Sequence, residues 1–204
     1  MYVGLHVPVG RISAEQLAEL GRLADTYGAG EVRLMVDQNV VLPHVPARRV
    51  ARLLDEPLLR ELRPDPPAIW RYLVCCTGND YCHFSLIDTK GRAVELARAL
   101  EARGVTPPPG TRIHISGCIH ACGKHHIADI GLLGANVRVG DEVVEAVHVF
   151  AGGRLGEDGR LAVQVLENVR FEELADVTAA LLDARAVTER ETPDARGTKK
   201  EVAA

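Results

Sequence analysis

The sequence lacks any apolar run near the roughly 20 residues a membrane-spanning helix needs. That excludes a helical membrane protein. It also lacks an excess of either charge: 24 Lys+Arg against 28 Asp+Glu give a net charge of −4. No general electrostatic case for nucleic acid or an anionic membrane surface follows. Met1 to Val9 is interrupted by His6 and Pro8 and carries no basic leader, so no signal peptide is expected. No internal repeat is present, and neither is the C-x-x-C spacing of a thiol redox motif. Hydrophobic residues make up 47% and charged residues 25% of 204, the proportions of an ordinary globular protein with one medium domain or two small ones.

What is present is cysteine in a telling arrangement. There are five: Cys75, Cys76, Cys82, Cys118 and Cys122. An odd number crowded into under a quarter of the chain does not fit a secreted disulfide framework. Metal ligation in a reducing cytoplasm fits better. Cys76 and Cys82 are spaced C-x5-C, and Cys118 and Cys122 are spaced C-x3-C, with 35 residues between the pairs. Two short loops giving two thiolates each can surround a cubane iron–sulfur cluster. Glycines beside each pair (Gly78, Gly117, Gly123) allow sharp turns and close backbone approach. Structural zinc is the competing reading; C-x3-C suits it, whereas C-x5-C is looser than its usual spacing. Cys75 follows a strand whose side chains alternate, so it is expected to point away from Cys76 as a buried apolar thiol.

Residues 1–66 read as an α+β unit. Val3 to Val9 is strand-like. Ser13 with Gln16 forms a capping box opening a helix whose inner face is Leu17, Leu20, Ala24 and Tyr27. Gly28 and Gly30 close it. Glu31 to Val36 and Val40 to Pro43 are strands around an Asp37-Gln38-Asn39 turn, and Pro46 starts a helix through Leu54. Strand, helix, strand, strand, helix is a ferredoxin-like half-domain order. Arg63 to Pro67 is the proline-rich boundary. Residues 67–185 then read as a mixed α/β domain. Its expected elements are a strand at Trp70 to Cys75, a helix from about Ser85 to Arg103 with Leu86, Ala93, Leu96 and Leu100 inward, strands at Arg112 to Ser116, Ala128 to Leu133 and Val143 to Phe150, and a helix at Phe171 to Ala184. Residues 186–204 turn polar and are expected to be a disordered tail.

The second cysteine loop is basic: Arg112, His114, His120, Lys124, His125 and His126. Taken with the cysteines, the group suggests an anionic ligand; any one histidine alone reads as solvated or as core. Lys90 could donate a proton, but a solvated helix position is the expectation for a lysine. Gly152 to Gly156 (GGRLG) reads as a turn rather than a nucleotide loop.

The segments VCCTGNDYC, DTKGRA and ISGCIHACGKHHIADIGLLG resemble the siroheme-dependent nitrite and sulfite reductases. VRLMVDQNVVLPHVP resembles the ferredoxin-like half-domain preceding their cluster domain, and VFAGGRLGEDGRL their C-terminal stretch; together the resemblance covers about residues 1–184. It implies an α+β fold with a ferredoxin-like half-domain followed by a siroheme/[4Fe-4S]-binding domain. It implies that Cys76, Cys82, Cys118 and Cys122 ligate the cluster and that Cys122 also ligates the siroheme iron, making it the catalytic thiolate. Lys124, His125, His126 and Arg154 become candidates for the siroheme carboxylates, with Gln38 and Asn39 facing the macrocycle. The implied reaction is six-electron reduction of nitrite to ammonia or sulfite to sulfide, with a ferredoxin or flavoprotein donor, in the cytoplasm.

The chain matches only the C-terminal half of such enzymes. A short reductase completed by homo-oligomerisation, one subunit partnered by an N-terminal half, and a fragment all stay open. His120 stands where many nitrite reductases of the family carry a polar amide. ACGKHH looks closer to sulfite reductases and CTGN to ferredoxin-dependent nitrite reductases. A [4Fe-4S] electron-transfer module without siroheme, and a precorrin-3B synthase-like enzyme, are the alternatives in function.

Overall fold

A computed structural model describes residues 1–191, with side-chain surroundings through 184. Strand β1 (Val3–Leu5) pairs antiparallel with β3 (Val40–Leu42), which pairs antiparallel with β2 (Arg33–Leu34). Helix α1 (Ala14–Tyr27) starts at the expected capping box, with Ser13 Oγ accepting the Gln16 N–H and Gln16 Oε1 accepting the Ser13 N–H. Helix α2 (Ala47–Leu54) follows Pro46. Leu20, Leu23 and Ala24 face the core with Val3, Leu5, Leu42 and Leu53. Leu17 was expected inward but is 50% exposed. The buried stripe is rotated part of a turn away from Leu17, toward Leu23, which is fully buried.

Two expected strands are shorter than their β-rich runs. β1 stops at Leu5 because Asn39 Oδ1 accepts the Val7 N–H, and the chain turns through a 3₁₀ segment, Pro8–Gly10. β2 keeps two residues, both exposed, at the sheet edge.

The second sheet has the order β4-β5-β6-β7-β8. β4 (Leu73–Cys75), β5 (Ile113–Ser116) and β6 (Ile130–Val139) run parallel; β7 (Glu142–Ala151) and β8 (Val163–Arg170) are antiparallel additions. A short helix, α3 (Ala68–Arg71), precedes β4, taking Trp70 and Arg71 out of the expected strand. α4 (Thr89–Ala102) is the crossover between β4 and β5. It starts later than Ser85 because Asp88 is its N-cap, accepting the Gly91 N–H at 2.9 Å, which leaves Leu86 outside the helix and exposed. Ala93, Leu96 and Leu100 are buried as expected. β8 was not anticipated. α5 (Phe171–Glu191) runs on past Ala184, so the 185/186 boundary falls inside it; residues 192–204 of the expected tail lie outside the described residues. No described helix is long and apolar enough to cross a membrane.

Candidate functional site

Parallel neighbours release their chains at the same sheet edge, and ligand sites collect there. β4 ends at Cys75 and β5 at Ser116, so the two cysteine loops leave side by side. The Cys76 N–H continues the ladder to the Ile115 carbonyl (3.0 Å), and the Leu86 N–H reaches back to the Gly117 carbonyl (2.9 Å). Cys76, Cys82, Cys118 and Cys122 line one cavity of about 280 Å³, together with Gln38, Thr77, Ser85 and Gly117.

The loops depend on residues that permit their path. Gly78 has φ +75°, left-handed, and packs on Thr89. A Cβ at Gly123 would overlap the Ile115 carbonyl, so only glycine lets the chain return beneath Cys122. Ala121 and Lys124 hold left-handed φ values of 58° and 60° without being glycine, so the second loop is wound tightly.

Each thiol has its own surroundings. The Gly117 N–H donates to Cys76 Sγ at 3.2 Å. Thr89 Oγ1 lies 3.8 Å from Cys76 Sγ and donates to the Cys76 carbonyl at 2.7 Å. His120 Nδ1 is 3.4 Å from Cys118 Sγ. Cys122 is exposed. Cys75 is fully buried with its thiol pushed up to about 11 by burial, against the pull of Lys90. Among the described residues, no three Cys, His, Asp or Glu side chains converge on a point suited to one metal ion. Four thiols spaced around a cavity suit a multi-atom cluster better than a single tetrahedral zinc.

Gln38 reaches the cavity in an unexpected way. It sits at φ +64°, and its amide clamps the Cys75 backbone: Nε2 donates to the Cys75 carbonyl (2.7 Å) and Oε1 accepts the Cys75 N–H (3.4 Å). Asn39 does not line the cavity; its Oδ1 faces Val7 N–H and His6 Nδ1.

The basic candidates disperse. Lys124 Nζ donates to the Val36 carbonyl at 3.2 Å, tying the second loop to the ferredoxin-like unit. His125 is buried against Phe150 (ring centroids 4.9 Å) and His126 stands edge-on to it. Burial lowers His125 to about 4, and His114, buried beside the Lys124 carbonyl, to about 4 as well. Arg112 pairs with Asp129. Arg154 is exposed in a bridge to Arg160, and none of Lys124, His125, His126 and Arg154 lines the cavity. Lys90 contradicts the expectation of a solvated position: it is 7% exposed and points inward. The first turn of α4 packs into the junction of the two units, a placement that helix periodicity does not encode. Gly117, singled out in the sequence as a flanking glycine, lines the cavity; sequence reasoning gave no site role to Thr77 and Ser85, for which closeness to the cysteines was the available signal.

Comparison with known proteins adds to this geometry. Residues 1–59 match the Nitrite/Sulfite reductase ferredoxin-like half domain, and residues 69–196 the Nitrite and sulphite reductase 4Fe-4S domain. The chain is 51% identical over 181 residues to a ferredoxin–nitrite reductase of Synechococcus elongatus, covering 89% of this chain and 35% of that protein. It is 48% identical over 184 residues to the chloroplastic ferredoxin–nitrite reductase of Zea mays, covering 89% and 32%. Among solved structures, the Mycobacterium tuberculosis NirA protein superimposes with a TM-score of 0.78 at 27% identity, covering 97% of this chain and 36% of that one. The chain thus spans about a third of the length of the curated relatives it matches.

Proposed function

The chain belongs to the nitrite and sulfite reductase family, and from that premise we propose that it is the cofactor-holding part of a ferredoxin-dependent nitrite reductase, working in the cytoplasm and converting nitrite to ammonia. The observation that carries this is the meeting of four thiols from two loops around one cavity at the ends of β4 and β5. The two relatives named as ferredoxin–nitrite reductases favour nitrite over sulfite and ferredoxin over a flavoprotein.

The family's cofactors are siroheme and a [4Fe-4S] cluster, and the residues present fit them. The donor set is four thiols spread around a cluster-sized space, with the Gly117 N–H donating to Cys76 Sγ. Cys122 is exposed, free to serve a second group on its outer side. Apolar side chains are exposed at the same end: Ile119 (83%) lies between Cys118 and Cys122, and Val36 (81%) is held to the second loop through Lys124. Phe84 packs on His120 at 4.9 Å. Such a surface matches the flat apolar faces of a tetrapyrrole. When bound, the two cofactors supply the iron centre and the electron relay for a six-electron reduction.

The chain's own part is binding and support. Cys76, Cys82, Cys118 and Cys122 would hold the cluster, and Cys122 would also serve the tetrapyrrole iron. Lys124 sits within the second loop and is the cation best placed along the chain to meet a siroheme carboxylate, exchanging the Val36 carbonyl for it. His126 stands beside it; Arg154 would act from the turn after β7.

Anaerobic reconstitution of the full chain with iron, sulfide and siroheme tests this. About four iron and four acid-labile sulfide per chain, as a cubane requires, should accompany a Soret band. Cys122→Ser should disturb both signals together. A colourless protein with zinc and no sulfide, or a Soret band untouched in C122S, would refute the assignment.

A further inference from the structure

Lys90 stands on the first turn of α4, 7% exposed. Its Nζ donates to two backbone carbonyls, those of Val9 and Cys75, the latter at 3.2 Å. Among the described residues, none of its partners is a carboxylate. Arg11, two residues after Val9, pairs with Asp80. A buried ammonium without a counter-charge is costly, and an apolar side chain of the same length would close the junction at lower cost. An anionic group at the neighbouring cysteine loop would offset that cost. The Cys75 carbonyl belongs to the peptide that leads into Cys76, so Nζ lies one peptide unit from the first cluster thiol. The surroundings are low in dielectric, where a charge acts over a longer reach than in water.

We propose that Lys90 is an electrostatic positioning residue: its charge, sealed behind the Cys75–Cys76 peptide, raises the reduction potential of the cluster held by Cys76, Cys82, Cys118 and Cys122. This rests on the cluster reading given above. Four thiolates around the cubane leave a net negative charge, and taking up one electron from a low-potential one-electron donor adds a further unit, with no bond made or broken. A fixed positive charge stabilises the reduced form more than the oxidised one. Net charge near the sulfurs is among the factors that set cluster potentials. Val9 shows how firmly the position is held. It is a β-branched residue in the left-handed region (φ 49°), a conformation that is rarely kept without support. Its carbonyl is what Lys90 grips, and Cys75 Sγ approaches the same oxygen at 3.9 Å.

The test uses the reconstituted full chain as unaltered protein, K90M, K90Q and K90R. Iron and sulfide analysis comes first, and a cluster missing from the unaltered protein refutes the cluster reading itself and the proposal with it. A dithionite titration followed by electron paramagnetic resonance then gives the midpoint potentials. K90M and K90Q should shift the one-electron equilibrium about tenfold toward the oxidised cluster, a midpoint about 59 mV lower. K90R, which keeps the charge, should stay within about threefold of the unaltered protein. Unchanged midpoints in K90M and K90Q overturn the proposal. So does a shift in K90R equal to theirs. Loss of the cluster from both neutral variants also overturns it, leaving Lys90 as a structural latch between the two units.

Discussion

Cys75 and Cys76 are neighbours in sequence and differ in what governs a thiol. Strand alternation turns one into the core, where burial keeps it protonated, and the other into the cavity, where the Gly117 N–H donates to its sulfur. The histidines divide in the same way. Burial depresses His114 and His125 to about 4, and lowers His6 too, so all three are held neutral in the folded chain. An unfolded histidine titrates near 6.5. Between about pH 6.5 and 4 the unfolded chain therefore binds more protons than the folded one, and stability falls as pH falls through that window. Above pH 6.5 the contribution is complete. Denaturant midpoints measured from pH 7.5 to 4.5 should fall with acid, and H125Q should flatten part of that slope. A midpoint constant down to pH 5 would be at odds with these buried neutral rings. The histidine run was visible in the sequence; which rings would be sealed was not, since His125 packs on Phe150, far along the chain in β7.

At the scale of elements, helix starts were the most legible features. Ser13 and Gln16 spell out a reciprocal cap within four residues, and the structure forms it. Ser13→Ala should cost ~1 kcal/mol of stability, read as a lower denaturant midpoint with an unchanged m-value; a change within error would mean that the cap contributes nothing. Strand ends were less legible. β1 is cut short by an Asn39 side chain 32 residues from Val7, and α3 takes two residues from β4. β8 escaped notice because it is an edge strand with most of its residues exposed, so neither face carries a clean apolar alternation. The helix ahead of β5 was found but begun too early, since Asp88 caps it in preference to Ser85, whose hydroxyl donates to the Ile87 carbonyl instead.

At the scale of the whole molecule, the two units meet at Cys75, the residue before Cys76. Gln38 of the ferredoxin-like unit clamps the Cys75 backbone, and Lys90 of the second unit holds both Cys75 and Val9. The cavity is thus braced from both sides. Gln38→Ala strips a buried N–H of its partner and removes one of two donors from a carbonyl. The expected loss is ~1–3 kcal/mol, measured by chemical denaturation alongside the iron content after reconstitution. Full stability in Q38A would show that the clamp carries no load. Large apolar side chains are exposed at Ile119, between Cys118 and Cys122, and at Val36, whose carbonyl Lys124 holds.

The sequence alone determined the cysteine pairs and the Ser13–Gln16 cap, because each is written in residues a few positions apart. The tertiary structure decided which groups meet. Cys76 and Cys118 share a cavity only because β4 and β5 pair in parallel, and Gln38 and Lys90 reach Cys75 only because two units dock there. Those contacts join residues tens of positions apart, and no local period or propensity records them.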